Sequence, residues 1–350
     1  MSSDEEGKGR IELLKRIGTK VVIAAVKKAT GCDVIEDIYD TVADEFRNIY
    51  QGIKRDKIYN FYMGIEELSE NEIELSSDNF AFLIQKLMED DEVGKAKIYS
   101  RLVVNISNSN YEDQDRINFI SILSKLSSYE LELARKYYIY GNCDLVGYEY
   151  RHNQLETLHE PTDGQLLRYT NGLVFNGLIY NPNNRESKKG YYKNTETLNQ
   201  FVRLIFDETE LEAESIGEVE KERYNILAEE DRLFSGELGA KFASLMNDKD
   251  LTIKIANKKD IDEHLYHAEH YITGINEIHQ KSGYRDIEYR KLMFFYDYDS
   301  LKNHTSVDRK VLAEKRIELE NINSDKKVIE FLINFANQII EMKKLKDGQK

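Results

Sequence analysis

Tryptophan is absent from the 350 residues, and cysteine and proline occur only twice each. Cys32 and Cys143 stand far apart and neither belongs to a Cys-x-x-Cys arrangement, which argues against a disulfide framework and a thiolate zinc site. A reducing, cytoplasmic setting is the expectation. Both prolines, Pro161 and Pro182, lie in the middle of the chain, so nothing of that kind interrupts long helices on either side. Long apolar runs are missing as well. Near the N-terminus the most apolar stretch is Val21 to Val26, flanked by lysines, where roughly 20 apolar residues are needed to cross a bilayer. The opening MSSDEEGKGR is polar and acidic where a secretory signal has a basic start and an apolar run. Neither export nor a transmembrane segment is expected.

Charge is plentiful but lopsided. With 64 acidic and 49 basic side chains the net is −15, which favours solubility and repels polyanions unless basic residues gather on one surface. A chain of this length exceeds the usual span of one core, so two or three domains are expected.

The hydrophobic pattern predicts a mainly α protein. Residues 1–9 read as a disordered start and 10–126 as a helical bundle. Its helices are Arg10 to Ala29, Val34 to Ile53, Asp78 to Met88 with Ser76, Ser77 or Asp78 as cap, Val93 to Asn105, and Gln114 to Leu126. In residues 127–206 a helix from Tyr129 to Tyr140, capped by Ser127 or Ser128, leads into the irregular stretch Gly141 to Gly164. A second helix, Gln165 to Phe175, then precedes the extended run Gly177 to Tyr180, a polar turn, a second extended piece at Tyr191 and Tyr192, and a closing helix, Thr197 to Phe206. That order is the order of a winged helix.

Residues 207–250 read as an acidic linker or exposed helix, because Asp207 to Glu237 carries 12 acidic residues against Lys221, Arg223 and Arg232. The last module, 251–346, is predicted to be α+β or helical. It has a β-like alternation at Leu251, Ile253 and Ile255, a helix from Asp260 to Lys281, an aromatic run from Leu292 to Tyr298, and a long amphipathic helix carrying Val328, Phe331, Leu332, Phe335, Ile339 and Ile340.

Three groups of residues suggest chemistry. Glu263, His267 and His270 fall at i, i+4 and i+7 of the helix expected there, a spacing that presents one carboxylate and two imidazoles to a metal; a polar helix face accounts for the same residues. Lys15, Arg16, Lys20, Lys27 and Lys28 surround the Val21 to Val26 run, as on a helix lying upon an anionic membrane surface or on a core helix with lysines at its edges. In the winged-helix-like unit, a DNA reading would place the helix Gln165 to Phe175, with Arg168, in the major groove and Arg185, Lys188, Lys189 and Lys193 of the wing against phosphate. Against this, Arg168 is the helix's lone cation, and Leu166, Leu167, Tyr169, Leu173 and Val174 read as core. Asp286, Glu288 and Lys291 offer nuclease residue types only loosely. No nucleotide-binding glycine loop or nucleophile signature occurs, so the sequence names no catalytic residue and implies no cofactor.

The stretch EVGKAKIYSRLVVNISNSNYEDQDRINFISILSKLSSYELELARKYYIY resembles the abortive-infection alpha family of bacterial proteins. Tyr99, Leu102 and Val103 stand where that family often has tryptophan and paired leucines, Ile122, Leu123, Leu126 and Ser127 match its second element, and GLVFNGLIYNPN resembles its helix end. The resemblance spans roughly residues 19–206. It implies a bacterial or prophage-borne role in defence against phage and brings no catalytic residues with it. The expectation is therefore a non-enzymatic component of an anti-phage system that binds a protein partner or itself. The alternatives are a DNA-binding regulator using the winged-helix-like unit and a metal-dependent effector hydrolase.

Overall fold

A computed structural model describes residues 53–68, 75–160, 162–182, 190–230, 233–234, 236–279, 287–295, 311–318 and 325–347. The expected helices Arg10 to Ala29 and, but for its last residue, Val34 to Ile53 lie outside these residues. Within them the protein is mainly helical with a β part. It divides into two compact units: one holds the chain through Cys143 together with Arg151–Gly217, the other Asp144–Tyr150 together with Glu218–Lys350.

The first unit is built from α1 (Ile53–Leu68), α2 (Ser77–Glu89), α3 (Ala96–Ser107), α4 (Asp113–Lys125), α5 (Ser128–Asn142), α6 (Arg151–Thr157), α7 (Gly164–Phe175), the two-residue strands β1 (Ile179–Tyr180) and β2 (Lys193–Asn194), and α8 (Glu196–Ile205). Helix starts follow local hydrogen-bond chemistry. The Ser76 hydroxyl accepts from the Asn79 amide at 3.3 Å, the Thr195 hydroxyl from the Leu198 amide at 3.2 Å, and Ser127 and Glu130 form a reciprocal capping box. Phe61, Phe80, Leu83, Leu102, Ile120, Phe201 and Ile205 are buried in this unit. Where α1 crosses α3, Gly64 lets the backbones close in: a Cβ there would meet the Ser100 hydroxyl oxygen at 2.6 Å. Strands β1 and β2 pair antiparallel, Ile179 opposite Asn194. The Gly141 to Gly164 stretch expected to be irregular contains α6. It is held by Gln154, whose amide donates to the carbonyls of Tyr140 at 2.8 Å and Cys143 at 2.9 Å.

In the second unit β3 (Glu222–Glu229), α9 (Gly236–Asn247), β4 (Ile253–Ala256), α10 (Lys258–Asp262), β5 (Tyr266–His279), β6 (Ile287–Phe295), β7 (Val311–Glu318) and α11 (Asp325–Asp347) follow in sequence. The sheet order is β4-β3-β5-β6-β7; β3 runs parallel to both neighbours, and β5, β6 and β7 form an antiparallel meander. Ile226, Ala228, Ile272, Leu292 and Phe294 cluster with Phe242 and Met246 of α9 and with Val328, Phe331, Phe335 and Ile339 of α11. A smaller cluster joins Leu227, Tyr271, Met293 and Phe295 to Ile261 of α10. The inserted residues 144–150 belong here too. Leu145 bridges Glu220 antiparallel, the Val146 amide donates to the Val219 carbonyl at 2.9 Å, and the Lys221 amide to the Asp144 carbonyl at 2.7 Å.

Two sequence expectations give way in this unit. The helix expected from Asp260 to Lys281 is a short α10 followed by β5. Tyr271, Ile272 and Thr273 are consecutive and all buried, as on a strand covered on both faces, and such a strand loses the alternation that would reveal it. The acidic stretch 207–250 is neither linker nor a single helix, since it contains β3 and α9. Its three buried strand residues, Ile226, Leu227 and Ala228, are outnumbered by acids averaged over the window. The division between units accordingly falls at Gly217, before the expected boundary near residue 251.

Candidate functional site

Helix α7 is set by its first turn. The Asp163 carboxylate accepts from the amides of Gln165 at 2.9 Å and Leu166 at 3.1 Å. Thr170 and Leu173 are buried on its inward side, and Gly172 faces Glu130 so closely that a Cβ would lie 2.0 Å from Oε1. The Tyr169 ring stacks on Tyr129 with centroids 5.8 Å apart and planes 11° from parallel.

At 3.6 residues per turn, Leu167, Arg168, Asn171, Val174 and Phe175 fall on the side of α7 opposite Leu173. All five are exposed. Phe175 keeps 85% of its surface, Val174 38% and Leu167 36%. Single exposed apolar side chains are ordinary on a protein surface; here three share one helical stripe with Arg168 and Asn171 between them, and one of the three is an almost bare phenylalanine. This corrects the expectation that Leu167 and Val174 belong to the core. The helix is apolar on two faces, and periodicity alone does not say which one is inside. A second signal was present: from Gly164 to Pro182 there is no acidic residue, in a chain whose net charge is −15.

Of the cations expected to meet nucleic acid, Arg168 lies on the exposed stripe, whereas Lys193 on β2 is half-buried with its ammonium 5.8 Å from the Tyr191 ring centroid. Arg185, Lys188 and Lys189 lie outside the described residues, as do Lys15, Arg16, Lys20, Lys27 and Lys28 of the expected membrane-facing helix.

The expected metal triad does not assemble on one helix face. Glu263 follows the last turn of α10, and His267 and His270 stand three apart on β5, so their side chains leave opposite faces of the strand. The His267 Nδ1 is 3.5 Å from the Asp144 carboxylate, while the His270 ring is buried 5.0 Å from that of Phe294. Among the described residues no group of three His, Cys, Asp or Glu side chains is arranged to hold a metal ion. Glu288 and Lys291 diverge in the same way; the Lys291 ammonium is engaged by Glu314 at 2.7 Å and Glu277 at 3.4 Å. Asp286 lies outside the described residues.

Among the described residues the most enclosed ion pair is in the first unit. Lys95 is buried against Asp90 and donates to the carbonyls of Leu123 at 2.9 Å and Leu126 at 2.8 Å, and the Tyr99 hydroxyl donates to Asp90 at 3.0 Å. Burial first, and then the Asp90 charge, pushes the Tyr99 phenol far above its ordinary value. With all three ammonium protons engaged, this cluster reads as a packing device.

Among the described residues no helix is long and apolar enough to cross a membrane. No protein-family model, curated protein or solved structure matches the chain.

Proposed function

We propose that this chain acts as a non-enzymatic interaction component that engages protein through the outward stripe of α7. The observation that carries this reading is the exposure of Phe175 together with Leu167 and Val174 on the helix side opposite the buried Leu173. An apolar stripe with one cation suits a protein surface better than a phosphate backbone, which is bound through several cations. The setting proposed for it, a bacterial or prophage anti-phage system, rests on the resemblance between residues 19 and 206 alone. Expressing the wild type and Phe175→Glu in phage-challenged cells tests both parts. Protection by the wild type that is lost in the folded variant is the expected result. No protection by either overturns the defence role, and equal protection by both overturns the role of the stripe.

A second reading, a winged-helix DNA-binding regulator, is favoured by the order α5, α6, α7, β1, β2, α8 and by the antiparallel pairing of β1 with β2. In it α7 would enter the major groove with Arg168 toward the DNA. Mobility shift at two salt concentrations discriminates: binding at low salt that weakens steeply as salt rises supports it, and no binding at low salt removes it.

A further inference from the structure

The geometry points to a second copy of this chain as the occupant of the α7 stripe, docked as an antiparallel helix pair on a two-fold axis through Asn171. This rests on reading the stripe as a protein-contact surface and names what it contacts.

The stripe is self-complementary about Asn171. Leu167 and Val174 project to one side of Asn171 around the helix, and Arg168 and Phe175 to the other, with one member of each pair before Asn171 and one after. A two-fold axis perpendicular to two antiparallel helices keeps the side and reverses the direction along the helix. Leu167 therefore meets Val174 of the second copy, and Arg168 meets its Phe175. Apolar faces apolar, a guanidinium faces an aromatic ring, and the only charge on the stripe is never set against itself. Asn171 falls on the axis opposite its own copy, where an amide supplies both donor and acceptor.

Charge favours this place over others. Two chains of net −15 repel, and the run from Gly164 to Pro182 brings no carboxylate to the contact. The inward side of α7 is already occupied, with Leu173 and Thr170 buried and Gly172 against Glu130, so the stripe is the side of the helix left to dock.

Sedimentation velocity of the full chain at roughly 1 to 100 µM, the range suited to a small interface, reads the association directly. The expected result is a monomer–dimer equilibrium weakened at least ~10-fold by Phe175→Glu and also weakened by Arg168→Glu, with circular dichroism unchanged because both positions are exposed. In a Cys32→Ser, Cys143→Ser background, Asn171→Cys should form an intermolecular disulfide on mild oxidation, since only a residue on the axis brings both copies within bonding distance. Adding Phe175→Glu should abolish that cross-link. A wild type monomeric throughout this range overturns the pair; if Phe175→Glu still removes protection in cells, the stripe then binds a different protein and the interaction reading stands. A dimer indifferent to Phe175→Glu, or one that Asn171→Cys does not cross-link, also overturns the pair.

Discussion

Lys95 and Asp90 form an ion pair inside the helical unit with both side chains buried, and the carboxylate also accepts from the Tyr99 hydroxyl and the Glu92 amide at 3.0 Å each. Taking two charges out of water is costly, and the cost is recovered only while each keeps its partner. Asp90→Ala is therefore expected to destabilise the protein by about 3–5 kcal/mol, since it strands a buried ammonium, whereas Lys95→Met combined with Asp90→Leu removes both charges and should recover only part of that loss, because the Leu123 and Leu126 carbonyls and the Tyr99 hydroxyl then lose their partners. Urea unfolding of the two variants checks this. A single variant within about 1 kcal/mol of wild type would contradict it.

Gly172 and Glu130 are linked in a way that reverses a common expectation. Replacing a mid-helix glycine by alanine gains about 1 kcal/mol in helix propensity. Here the new methyl group would collide with Oε1 of Glu130, whose Oε2 accepts from the Ser127 amide and hydroxyl at 2.7 Å each. Gly172→Ala should thus give no gain or a net loss. In a Glu130→Ala background, where the obstacle is gone, the same change should stabilise by about 1 kcal/mol. Thermal melts of the four proteins form the cycle.

Residues 144–150 complete the second unit although they are inserted between helices of the first. Replacing them with a Gly/Ser segment of equal length removes the buried Leu145 side chain and the Asp144 carboxylate, 3.1 Å from the Arg223 guanidinium, which hold in place the backbone bonds from Val146 to Val219 and from Lys221 to Asp144. Hydrogen exchange at the Lys221 amide should accelerate at least ~10-fold, as expected when a local opening loses its protecting bond. Unchanged exchange at that amide would show that the segment is not needed there.

The acid limb of stability should depend on Glu277. Burial pushes its carboxyl up, but the Arg316 hydrogen bond at 2.8 Å and the Lys291 and Arg316 charges outweigh that and hold it below the ordinary value of 4.5. A carboxylate lowered on folding contributes stability above its unfolded value, and that contribution fades as pH falls through the folded one. The wild type should therefore lose stability below about pH 4.5 more steeply than Glu277→Gln. Denaturant midpoints measured from pH 6 to 3 test this, and parallel curves would refute it.

How much of this was legible depended on whether the cause was local. Ser76, Ser127 and Thr195 stand where their hydroxyls satisfy the first free amides of a helix, and the helices they begin lie close to where periodicity puts them. The stripe of α11 was readable for the same reason, because one helix face carries Val328, Phe331, Leu332, Phe335, Ile339 and Ile340, with Ile333 left exposed outside it. Helix α1 was not foreseen, although Ile58, Phe61 and Ile65 stand at helical spacing and are buried on one side of it.

The sequence by itself determined the caps, the helical periods, the shortage of segments fit to span a membrane and the strongly acidic balance, since each is a property of neighbouring residues or of a sum. Tertiary structure decided the rest. A doubly covered strand replaced the expected helix around His267 and His270 and sent the two rings to opposite faces, because cross-strand pairing with β3 and β6 outweighs local spacing. Likewise Leu173 faces inward and Phe175 outward because α5 packs against one side of α7, a choice that nothing within the helix itself can make.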